Sequence, residues 1–315
     1  MSHSFPKLES VDSIVESLAT AGYICNEQIA TVVYLAAELE KPVLVEGPPG
    51  VGKTELAKSC AQVTGAPLVR LQCYEGLDES KAIYEWKYGK QLLYTQLLKT
   101  QLSEVIEGAQ GFRASVERLH SFDDVFFSKD FLEPRPLLQA IDAEGSVVLL
   151  VDEIDKADFE FESLLLEVLS DFQISIPELG TLKGRSKPLV FLTSNDTRDL
   201  SDALKRRCLH LHIDFPTTEL EGRIVRARVP QITEAMTEHL VSFVSKVREM
   251  DLKKLPSVSE TIDWAKSLVL LHADSLDEEL VKSSLSVLLK YEEDVTSVVE
   301  NLVDLLYTEK QAASA

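Results

Sequence analysis

The stretch that most constrains this chain runs from Val43 to Thr54. An apolar run, Val43-Leu44-Val45, leads into Glu46-Gly47-Pro48-Pro49-Gly50-Val51-Gly52-Lys53-Thr54. Gly47 and Gly52-Lys53-Thr54 match the pattern G-x-x-x-x-G-K-[ST], which requires a strand before it and a helix after it. Pro42–Glu46 reads as that strand. Thr54–Thr64 reads as the helix, with Leu56, Ala57, Cys60 and Ala61 at helical spacing and Gly65-Ala66-Pro67 to stop it. Glycines let the intervening backbone curl until several N–H groups point at phosphate oxygens. The helix that follows adds the positive end of its dipole. Gly47, Pro48, Pro49, Gly50, Val51, Gly52, Lys53 and Thr54 are therefore expected to cradle the phosphates of a nucleotide. Lys53 would place its ammonium on the β- and γ-phosphates, and the Thr54 hydroxyl would ligate Mg²⁺.

Further strands are expected at Leu68–Cys73, Ser146–Val151, Leu189–Thr193 and Leu209–Phe215, with helical patterns between them. Strands alternating with helices imply a parallel, five-stranded sheet with helices on both faces. The third strand runs straight into Asp152-Glu153. Ligands of open α/β sheets bind beyond the carboxyl ends of the strands, so these two carboxylates should meet Lys53 and Thr54. Asp152 suits the Mg²⁺ shell, and Glu153 suits a base that polarises the water attacking the γ-phosphate. Beyond Pro216 the strand candidates cease. Ile232–Met250, Ser259–His272 and Leu276–Tyr307, the last with interruptions, read as amphipathic helices. A boundary is expected there, with an α/β core over 1–216 and a smaller all-α domain over 217–315.

Composition restricts the partners. The 315 residues carry 32 Lys and Arg against 52 Asp and Glu, a net charge of −20. Such an excess repels phosphate backbones, so nucleic acid is an unlikely partner. The opening MSHSFPKLES lacks the basic and apolar regions of a secretory signal, and runs such as Val32–Ala37 and Val147–Val151 are too short to span a bilayer. A cytoplasmic location with no membrane partner is the expectation. Cys25, Cys60, Cys73 and Cys208 are scattered without metal-ligand spacing and read as small apolar residues. His210 and His212 alternate along a strand and read as part of its face, not as a metal pair.

The phosphate-loop residues with Pro48-Pro49-Gly50, followed by Val151-Asp152-Glu153-Ile154-Asp155-Lys156-Ala157, resemble the AAA+ superfamily of P-loop NTPases. The chain further resembles the MoxR family, on its CoxD-like branch of accessory ATPases for carbon monoxide dehydrogenase and related molybdenum enzymes. Leu71–Ala82, Tyr84-Glu85-Trp86 and Arg206-Arg207-Cys208 carry that finer likeness. The resemblance implies ATP and Mg²⁺ as cofactors, ATP hydrolysis as the activity, and the helical region as a lid domain. It implies that Asn195 is sensor 1, positioning the attacking water, and that Arg207, or else Arg206, reaches the γ-phosphate of a neighbouring copy. That in turn implies a homo-oligomer, a hexameric ring. Tyr23 and Ile24 fall where the family carries its adenine wall, and ordinary core packing suits Tyr23 equally well. The sensor 2 arginine has no counterpart: Glu260 stands in its place, with Lys254 as a possible substitute cation and Ser257 or Ser259 as a helix cap. Partners implied are a von Willebrand factor A-domain protein and a metalloenzyme client that ATP turnover would remodel.

Tyr84, Trp86 and Tyr88 alternate with Glu85 and Lys87, so at strand spacing they would share one face. That face would grip a client or pack as a hairpin on its own core. Phe172–Leu182 reads as a second hairpin. Two other functions compete with a client-remodelling ATPase: a nucleic-acid-associated AAA+ motor, and a nucleotide-dependent switch or scaffold. The net charge opposes the first, and the presence of Lys53, Asp152, Glu153 and Asn195 together opposes the second.

Overall fold

In the computed structural model the described residues are 5, 7–97, 128–177, 179–273 and 275–307. The strands are β1 (Val43–Glu46), β2 (Leu68–Gln72), β3 (Tyr84–Trp86), β4 (Leu132–Pro134), β5 (Val148–Asp152), β6 (Gln173–Ile176), β7 (Gly180–Lys183), β8 (Leu189–Ser194) and β9 (Leu209–His212). The main sheet has five strands in the order β2-β5-β8-β1-β9, every pair parallel. Each strand expected from the sequence is present, to within a few residues at its ends.

Strand alternation divides the core. Leu149 and Val151 of β5, with Leu44, Val190 and Leu192, pack into one cluster. Val148 and Leu150, with Val43, Val45, Phe191 and Leu211, pack into another. Successive side chains of a strand point to opposite faces, and a parallel sheet buries both. The helix Lys53–Thr64 covers the second cluster with Leu56, Ala57 and Cys60, and the helix Phe159–Asp171 covers the first with Phe161, Leu165 and Val168. A third cluster, from Val225 to Leu305, draws on the helices that follow residue 217 and the turns between them. Those helices are Thr218–Arg228, Glu234–Arg248, Val258–Leu270, Glu278–Leu288, Glu292–Glu300 and Leu302–Tyr307.

The aromatic triplet departs from expectation. β3 ends at Trp86, the Lys87 amide bonds back to the Phe131 carbonyl, and a helix begins at Tyr88. The three rings therefore do not share a strand face. Trp86 is buried, Tyr84 is half-buried edge-on to it with ring centroids 6.0 Å apart, and Tyr88 alone is exposed. β3 pairs antiparallel with β4, and Trp86 and Leu132 join the cluster that holds Leu149 and Val151. Phe172–Leu182 does form a hairpin, β6 on β7.

Candidate functional site

Sheet register builds the site. Gln72 lies beside Asp152, Val151 beside Leu192, and Val45 beside Thr193. The carboxyl ends of β1, β2, β5 and β8 therefore bring their polar residues to one edge, where the phosphate loop leaves β1.

The loop has the shape its sequence requires. Gly47 has φ 144°, and a Cβ there would sit 2.0 Å from the Ile213 carbonyl oxygen, so only glycine lets the loop lie against the end of β9. Gly50, at φ 75°, has Ser257 Oγ of the helical region 2.3 Å from where a Cβ would stand. Lys53 is buried and donates to the carbonyls of Gly47 at 2.6 Å and Pro48 at 2.7 Å. Burial lowers its ammonium to about 8, opposed by Asp155, Asp152 and Glu153.

Asp152 is buried at the end of β5. Its Oδ1 accepts from Thr54 Oγ1 at 2.9 Å and from Thr193 Oγ1 at 2.6 Å. A hydroxyl and a carboxylate held this closely are the hard oxygen donors that Mg²⁺ takes. Glu153 follows in a left-handed conformation, φ 58°, ψ 51°, which turns the chain out of the strand. Its amide donates to Thr193 Oγ1 at 2.9 Å. Its carboxylate faces Asn195, whose Nδ2 is 3.5 Å from Oε1. The residues Lys53, Thr54, Asp152, Glu153 and Asn195 thus converge.

Sequence reasoning missed Thr193 and further members of this cluster. Arg70, on β2, donates to Asp152 Oδ2 from Nε at 3.1 Å and Nη2 at 2.6 Å. Gln72, two residues on and so on the same face, donates to Glu153 Oε2 at 2.7 Å and accepts from Arg70 Nη2 at 2.6 Å. Lys156 donates to the same Glu153 oxygen at 2.6 Å, and that bond raises its ammonium. The available signal was the polar pair Arg70-x-Gln72 at the end of an otherwise apolar strand.

The other expected residues lie farther out. Arg206 and Arg207 are exposed at the end of the helix Asp202–Arg207, and Arg207 donates to the Ala203 carbonyl at 3.5 Å. They are not part of the cluster around Lys53. Tyr23 is buried, and a Cβ on Gly52 would lie 3.4 Å from its ring. Tyr23 and Ile24 line a cavity of about 650 Å³, with Gly50–Gly52 at one side and Ile224, Val258 and Ile262 of the helical region at another. Ser257, not Ser259, caps the helix Val258–Leu270. Glu260 completes a capping box with it and also binds Lys254 Nζ at 2.9 Å. The residue standing in the sensor 2 position is therefore a capping carboxylate, and the candidate substitute cation is tied to it. Cys25, Cys60 and Cys73 are buried and Cys208 nearly so, and burial pushes the Cys25 thiol to about 11 and those of Cys73 and Cys208 to about 12. His210 pairs with Glu46 across the sheet. Among the described residues no helix is long and apolar enough to cross a membrane.

Comparison with known proteins places this geometry in a family. The chain is 29% identical over 238 residues to the gas vesicle ATPase GvpN of Haloferax mediterranei, an alignment covering 70% of this chain and 60% of that relative. It is 26% identical over 239 residues to an uncharacterized protein of Staphylococcus aureus, covering 74% of this chain and 77% of the relative. Among solved structures it is similar to the RuvB Holliday junction branch migration motor of Thermotoga maritima, at 18% identity, covering 96% of this chain and 80% of that one, with a TM-score of 0.46. The AAA domain (dynein-related subfamily) matches residues 42–208, from the start of β1 to the turn before β9, which is more than half of the chain. With its P-loop, its five-stranded parallel sheet and its C-terminal helices, this chain belongs to the AAA domain family, in the dynein-related subfamily.

Proposed function

We propose that the protein is an ATP-hydrolysing AAA+ enzyme of the MoxR type that remodels or activates a client protein. The observation that carries the reading is the convergence of Lys53, Thr54, Asp152, Glu153 and Asn195 at one sheet edge. The ATPase name of the GvpN relative supports the activity, and the Leu71–Ala82 stretch supports the MoxR resemblance. Residues 1–216 are read as the nucleotide-binding core and 217–315 as the lid, in line with the separate apolar cluster of the latter.

In this reading the backbone amides from Gly47 to Gly52 hold the phosphates and Lys53 neutralises them. Thr54 and Asp152 would hold Mg²⁺, which when bound draws charge from the phosphate oxygens. Tyr23 and Ile24 wall the base. Asn195 orients the attacking water, and Glu153 takes its proton. Arg207, or Arg206, is exposed at a helix end and so available to a neighbouring copy, where it would stabilise charge spreading over the γ-phosphoryl group. That role makes the working form a ring, proposed as a hexamer. The client is proposed to be a metalloenzyme, a molybdenum enzyme first, with a von Willebrand factor A-domain protein as adaptor and a cytoplasmic setting.

The test is capture from the native host with Glu153→Gln held in MgATP, read by mass spectrometry. The reading expects an A-domain protein with metalloenzyme subunits. Recovery of replication or repair proteins on DNA would replace it with a nucleic-acid motor.

A further inference from the structure

Both carboxylates of the site are bound by side chains from the edge strand β2, and the bonds form one chain. Asp152 Oδ2 receives the Nε and Nη2 of Arg70, Nη2 also donates to Gln72 Oε1, and Gln72 Nε2 donates to Glu153 Oε2. The other Asp152 oxygen is taken by Thr54 and Thr193. Asp152 is buried, whereas the Arg70 side chain is 48% exposed, so the guanidinium can swing away into solvent at little steric cost. A fork of this kind supplies the neutralising charge that a buried carboxylate needs. It also sets a full positive charge against the acid that the proposed function gives to Mg²⁺.

We propose that Arg70 is a positioning residue that competes with Mg²⁺ for Asp152. This rests on the nucleotide-binding reading of the site. The proposal also explains why a cation stands on a half-exposed edge strand with its charge turned inward.

The test is equilibrium binding of a fluorescent ATP analogue to the full chain across a Mg²⁺ titration, which needs no turnover. Arg70→Gln is expected to lower the Mg²⁺ concentration for half-maximal binding by about tenfold, since a unit charge beside a divalent site is removed. Arg70→Lys keeps the charge and loses the fork, and is expected to fall between wild type and Arg70→Gln. Half-maximal Mg²⁺ equal to or above the wild-type value in both variants would overturn the proposal. A wild-type chain that binds no nucleotide at any Mg²⁺ concentration would instead overturn the functional reading, and the proposal with it.

Discussion

Lys53 shows how much of this site is decided by burial. Its ammonium would titrate near 10.4 in water and is lowered to about 8 here, with desolvation outweighing Asp155, Asp152 and Glu153. The sign follows from proton counts. Between about 8 and about 10.4 the unfolded chain holds more protons at this residue than the folded one, so stability from this group rises with pH there. The penalty is fully present below about 8 and gone above about 10.4. Phosphate oxygens restore the charged form, so nucleotide binding near pH 9 should draw a proton from solution, and near pH 6.5 it should not. Calorimetry in two buffers of different ionisation enthalpy measures this directly. Equal heats in both buffers at the higher pH would contradict the assignment of Lys53 to the phosphates.

At the scale of elements, a buried ion pair ties two helices of the C-terminal region together. Arg248, from Glu234–Arg248, meets Glu221, from Thr218–Arg228, through two bonds of 2.6 and 2.8 Å, with side chains 9% and 1% exposed. Arg248 also donates to the Pro256 carbonyl at 2.7 Å and stacks on Phe215, just after β9, at 4.6 Å. Arg248→Met leaves a buried, unpaired carboxylate and is expected to cost about 3–5 kcal/mol in urea unfolding. Pairing it with Glu221→Leu should recover most of that loss, and no recovery would show that the packing on Phe215 dominates. Elements of this kind were partly legible in the sequence. β1 and β5 announced themselves because an apolar run ends in a glycine-rich loop signature or in paired carboxylates. The Lys53–Thr64 helix did so through its apolar spacing and its Gly65 stop. Tyr88 was misplaced because alternation of aromatics fits a strand equally well, and only the Lys87–Phe131 backbone bond shows that β3 stops at Trp86. Arg70 and Gln72 escaped notice because their roles depend on which strand neighbours β5, and strand order is not written in local pattern. The capping box of Ser257 and Glu260 was half visible: its spacing is a known helix start, yet two serines competed for the cap.

For the whole molecule, Arg207 stands exposed at the end of the helix Asp202–Arg207. An exposed arginine at a helix end outside its own site serves catalysis only if another copy presents a nucleotide to it. Mixing Arg207→Ala chains with Lys53→Ala chains should therefore restore some turnover, because some interfaces then combine an intact site with an intact arginine. Absence of recovery at every mixing ratio, in assemblies shown to exchange subunits, would count against catalysis in trans. The acidic balance of −20 suits a protein that engages other proteins more than nucleic acid. Under all of this lies the proposal that the edge formed by β1, β5 and β8 binds and hydrolyses ATP. The most direct measurement follows ATP-analogue binding and phosphate release side by side for wild type, Lys53→Ala and Glu153→Gln. Lys53→Ala is expected to lose binding, and Glu153→Gln to keep binding with phosphate release reduced at least about a hundredfold. Wild-type phosphate release from Glu153→Gln would contradict it.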